Sequence, residues 1–134
     1  MDFTPPTTDQ VLALRVSAGI EELATHERFE AASPDLVEAI VEGIGALAAG
    51  EWAPLNRLGD TQGAKWNDGA VSLPAGFAEA YRAFVEQGWN AIAGPVEHGG
   101  QGLPFALASC VIETLGAANM GFTLLPMLTV GAIE

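Results

Sequence analysis

The chain has 134 residues, enough for one domain with a modest core, and 49% of them are hydrophobic, which excludes a disordered segment. Seventeen acids against five bases give a formal charge of -12 without any basic cluster, which excludes nucleic acid and anionic membrane surfaces as natural partners. A single cysteine, Cys110, excludes an intrachain disulfide and a cysteine-based zinc cage.

The stretch from Met1 to Pro6 lacks the basic and apolar regions of a signal peptide, so a cytoplasmic location is expected. Thr7 or Thr8 is expected to cap a short helix through Val11, Leu12, Leu14 and Arg15. Gly19 weakens its far end, and Ile20 to Ala24 adds a further turn. Ser33 and Pro34 open the best-marked helix, with Ser33 as the cap, Pro34 at the first helical position and Asp35 at the positive end of the dipole. Val37, Ile40, Val41, Ile44, Leu47 and Ala48 then recur at spacings of three and four, which predicts one buried face. Pro54 cannot donate to residue 50, so the helix continues through Trp52 with a bend and ends between Gly59 and Gly63.

Asn67-Asp68-Gly69 between two short extended segments predicts a small hairpin. Phe77, Tyr81, Phe84 and Val85 form the buried stripe of the next helix, which closes at Gly88. Pro104 opens a helix carrying Phe105, Leu107, Val111, Ile112 and Leu115. A break at Ala117-Ala118-Asn119 separates it from a last helix, Gly121 to Glu134, apolar on nearly every side. From Pro104 to Ile133, Glu113 is the only charged residue. The twenty uncharged residues from Thr114 to Ile133 are long enough to cross a bilayer, but Asn119, Pro126 and the glycines favour two packed core helices. These last helices expect neighbours, and the chain is expected to be poorly soluble on its own.

Few residues promise chemistry. Gly99-Gly100-Gln101-Gly102 lacks the Lys-Ser/Thr ending of a phosphate loop, and Glu97 would repel a phosphate, so a tight turn is expected. His26 and His98 have no second ligand at helical spacing, and Ser109 and Cys110 have no evident base. Trp52, Trp66 and Trp89 read as core anchors. The stripe Met120, Thr123, Leu124, Met127 and Leu128 reads as core before it reads as a ligand wall.

Gly88-Trp89 leading into Pro95-Val96-Glu97-His98-Gly99-Gly100-Gln101-Gly102, then Ile112-Glu113-Thr114-Leu115-Gly116-Ala117-Ala118-Asn119, resembles the N-terminal domain of the flavin-dependent acyl-CoA dehydrogenases. Phe29 to Val37, Ala53 to Asp60, Gly76 to Arg82 and Ala118 to Thr129 extend the resemblance to the larger bacterial branch of that family.

The resemblance implies an all-α fold, with at most a short β-hairpin near 65–73. It divides the chain into an N-terminal arm of short helices over residues 1–32 and a helical domain over 33–134, truncated at its C-terminal end. It implies an FAD enzyme that desaturates an acyl-CoA thioester between its α and β carbons, a glutamate removing the α proton as the β hydride passes to the flavin. FAD and the catalytic glutamate would be held mainly by downstream domains. The acceptor would be an electron-transfer flavoprotein, and the full-length protein a homo-oligomer. This chain would contribute the distal wall of the acyl pocket through Thr123, Leu124, Met127, Leu128 and Gly131. Rival readings are a non-catalytic helical interaction module and a membrane-anchored helical protein.

Overall fold

Two prolines set the start of the first helix. In the computed structural model, which describes residues 3–133, helix α1 (Thr7–Val16) begins directly after Pro6, whose carbonyl accepts the Gln10 N–H at 3.0 Å. Neither threonine caps it: both lie inside the helix, because the fixed φ of Pro6 already turns the chain into the first helical position. Gly19, with φ 60°, redirects the chain into the single turn α2 (Ile20–Leu23). Leu14 and Ile20 bring this arm into the same core as the rest.

Helix α3 (Pro34–Leu47) starts as its sequence dictates, with the Ser33 hydroxyl accepting the Leu36 N–H at 3.3 Å. Val37, Ile40, Val41, Ile44 and Leu47 are all buried. At Ala48–Trp52 the helix widens by one residue, and the Ala53 N–H donates to the Ala48 carbonyl. This π-type turn accommodates the missing donor of Pro54 and leaves Trp52 fully buried.

Helix α4 (Ala53–Gln62) stops within the expected interval, and Gly63 ends it with φ 63°. Gly59 stays helical because it is a packing site: the Phe77 ring lies where a β-carbon would be, at 2.9 Å.

Strands β1 (Lys65–Asn67) and β2 (Ala70–Ser72) pair antiparallel, joined by Asp68 and Gly69 at φ 46° and 83°, the two left-handed residues of a type I′ turn. Both strands are wholly exposed, and Trp66 with them, so only two of the three tryptophans pack.

Helix α5 (Phe77–Glu86) buries Phe77, Ala80 and Phe84; Tyr81 is half-buried and Val85 is exposed, Ala80 filling the stripe instead. The last element, α6 (Phe105–Ile133), is helical throughout except at Asn119, where φ -158° and ψ 86° break it into two halves. Leu107, Val111 and Leu115 of its first half are buried in the shared core, and α6 packs against α3, α4 and the π-type turn. Just beyond the break, Phe122 stacks on Trp52 with ring centroids 4.1 Å apart and meets Phe77 at 4.8 Å. An all-α architecture with one two-stranded hairpin results.

Helix α6 is the one described helix long and apolar enough to cross a membrane. Each half spans only roughly 21 Å, short of a ~30 Å hydrocarbon core, and 56% of the apolar window is buried inside the fold.

Candidate functional site: a cleft between the halves of the last helix

The break at Asn119 is held by three hydrogen bonds. Its side-chain oxygen accepts the Phe122 N–H at 3.1 Å, capping the second half as an N-cap does. Its amide donates to the Trp52 carbonyl at 3.2 Å, and its own carbonyl accepts the Thr123 hydroxyl at 2.9 Å. Asn119 and Thr123 are both buried, so these polar groups are satisfied locally at the one place where the helix ladder fails.

The consequence is geometric. Past the break the chain doubles back, so that Met127, Val130 and Gly131 face Phe105, Ala108, Ser109, Ile112 and Glu113 across a cleft of about 420 Å³. Residues 105, 108, 109, 112 and 113 share one face of a helix, as do 127, 130 and 131. A narrower recess continues toward Phe84, Trp89 and Ile92, sharing Phe105, Ala108, Ile112 and Val130 with the cleft. The volume lies in the range of small-molecule sites, and the lining is apolar apart from Ser109 and Glu113. Ser109 already donates to the Phe105 carbonyl at 3.1 Å. Glu113 accepts at 3.3 Å from Gln10, whose amide is buried and paired in both directions with the Thr114 hydroxyl, at 2.9 and 3.1 Å. The arm thereby braces the charged lip of the cleft.

Of the five residues expected to meet an acyl tail, Met127 and Gly131 line this cleft. Thr123 is fully buried against Asn119, while Leu124 and Leu128 are exposed and stand outside the lining. The stripe read as core is therefore largely a surface: Met120 and Leu128 are 59% and 70% accessible. The sequence alone does not mark Phe105, Ser109, Ile112 and Val130 as lining: it shows their spacing and the second half-helix, but not the direction in which that half returns to form a wall.

The glycine turn is self-filled. Gly99 and Gly102 take φ 84° and 64°, and a β-carbon on Gly100 would sit 2.1 Å from the Gly94 carbonyl. Residues 91–94 and 100–103 bind each other through Gln101 N to Ala91 O at 2.8 Å, Gly102 N to Gly94 O at 2.9 Å and Leu103 N to Ile92 O at 3.0 Å. The Gln101 side chain closes the turn on the Gly88 carbonyl at 2.8 Å. The hollow beside it brings Glu27, Glu30 and Glu97 together with the single guanidinium of Arg28. A closed backbone and an excess of carboxylates do not fit the pyrophosphate of a flavin dinucleotide, so this turn is no FAD cradle.

Among the described residues no group of three His, Cys, Asp or Glu could hold a metal ion. Burial, and after it the Glu113 carboxylate, pushes the Cys110 thiol above its ordinary value, which makes it a packed side chain rather than a nucleophile.

Comparison with known proteins agrees with this architecture. The family model described as acyl-CoA dehydrogenase, N-terminal domain, matches residues 37–134. A 3-methylmercaptopropionyl-CoA dehydrogenase of Ruegeria pomeroyi is 36% identical over 137 aligned positions, which cover all of this chain and 23% of the relative's length. The chain thus spans about a quarter of the curated relative that it matches. On this match, and on a helical fold of the expected class, the chain belongs to the acyl-CoA dehydrogenase family through that family's N-terminal domain.

Proposed function

We propose that this chain serves an acyl-CoA dehydrogenase by gripping the acyl tail of the thioester in the cleft between the halves of α6. The observation that carries the reading is an apolar cleft of substrate size whose far wall is Met127, Val130 and Gly131. Each methylene moved from water into such a cleft contributes about 0.8 kcal/mol, and the same walls keep water from the tail. The glycine turn, closed on itself and bordered by carboxylates, repels the phosphates of coenzyme A and leaves them to other parts of the protein.

The rest of the activity belongs to the full-length enzyme: α,β-desaturation of an acyl-CoA with FAD, electrons leaving to an electron-transfer flavoprotein, and a homo-oligomeric assembly. Family membership supports these steps, and no residue of this chain is assigned to them. The exposed row Met120, Leu124, Leu125 and Leu128 is the surface on which the remaining domains would pack.

The test is Met127→Ala in the full-length enzyme. Removing a side chain from the far wall deepens the cleft, so kcat/KM for octanoyl-CoA relative to butanoyl-CoA should rise about tenfold. An unchanged ratio removes Met127 from the acyl wall.

A further inference from the structure

We propose that Asn119 is the positioning residue of the cleft: it fixes the angle between the two halves of α6, and with it the length of apolar tail the cleft admits. Every other residue from Phe105 to Ile133 has helical backbone angles, Pro126 included. Pro126 forfeits a donor without producing the break. The departure sits on the one side chain that both caps the second half, through Phe122 N, and ties it to another element, through the Trp52 carbonyl. That carbonyl belongs to the π-type turn between α3 and α4, so the second half of α6 is referenced to a bend built elsewhere in the chain.

The two bonds act differently. The cap selects where the second half begins, because it satisfies an N–H that a continuous helix would satisfy from its own backbone. The bond to Trp52 sets the direction in which that half leaves. The stacking of Phe122 on Trp52, at 4.1 Å and 20°, keeps the same two elements in contact but leaves a sliding freedom that a directional hydrogen bond removes. Val130 and Gly131 lie three turns beyond the hinge, so a small change of angle at Asn119 becomes a large change of gap at Phe105 and Ala108.

The first claim, the angle, stands on its own; the second, tail length, rests on the reading of the cleft as an acyl site. Both are tested on the full chain carrying Cys110→Ala, with spin labels at Glu86 on α5 and Thr129 on the second half of α6, both exposed. Asn119→Ala is expected to lengthen and broaden the label distance. Asn119→Ser keeps a capping oxygen but does not reach the Trp52 carbonyl, and is expected to keep the mean distance while broadening it. A distance distribution for Asn119→Ala that superposes on the parent overturns the proposal; if that variant does not fold, an unbroadened Asn119→Ser overturns it.

In parallel, hexanoyl and dodecanoyl chains carrying a dansyl group are titrated by fluorescence. The parent should show a preference between them that Asn119→Ala changes at least fivefold, and an unchanged preference overturns the claim on tail length. Binding of neither probe by the parent overturns that claim together with the acyl-site reading, while the label distances still decide the angle.

Discussion

Cys110 shows how a single environment removes a reactive group from consideration. It is buried on the first half of α6, one turn before Glu113, and both burial and that carboxylate favour the neutral thiol. The folded chain therefore keeps this proton to a higher pH than the unfolded chain does. The corresponding stability is intact below the ordinary thiol pKa of about 8.5 and is lost as the pH rises through the folded value. Urea unfolding should show stability declining above about pH 8.5, less steeply in Cys110→Ala. Alkylation at neutral pH should be markedly slower in the folded chain than in urea. Equal rates would mean that the thiol is open to solvent.

At the scale of elements, Trp52 is the joint. Its ring stacks on Phe122 of α6 and lies 5.7 Å from Phe84 of α5, and its carbonyl holds Asn119. Trp52→Ala should cost about 3–5 kcal/mol by urea unfolding, as a large core truncation does. The indole N–H is buried and finds no partner among the described residues, so Trp52→Phe, which keeps an aromatic ring there, should cost less than half as much. Equal costs would mean that the indole nitrogen is bonded after all.

Much at this scale was legible in advance, because local chemistry decides it. Ser33-Pro34 marks a helix start, Asp68-Gly69 a type I′ turn and Pro54 an interruption of the helix ladder. The placement of α6 was only half legible. A polar break at Asn119 is visible in the sequence, but a helix apolar on every side offers no pattern to say which face is covered. Hence Thr123 proved buried, its hydroxyl returning to Asn119, while Leu124 and Leu128 face outward. The packing roles of Gly59 and Phe105 are illegible for a related reason: what each does depends on a ring or a wall supplied by a distant part of the chain.

For the molecule as a whole, the distribution of charge and apolar surface divides the labour. The five cations all precede residue 83, the formal charge is -12, and the cleft has one carboxylate among apolar walls. On the proposed reading, such a body takes the uncharged tail, and the phosphate-bearing head falls to other parts of the full-length enzyme. The chain's match to 23% of a longer acyl-CoA dehydrogenase is consistent with that division. The most direct measurement uses the full-length protein and an acyl-CoA with a photoreactive diazirine at the tail end, the labelled peptides being identified by mass spectrometry. Labelling of Phe105–Ile112 or of Met127–Gly131, suppressed by excess octanoyl-CoA, is the predicted result. Labelling confined to the glycine turn, the hairpin or the N-terminal arm would contradict the assignment of this cleft to the acyl tail.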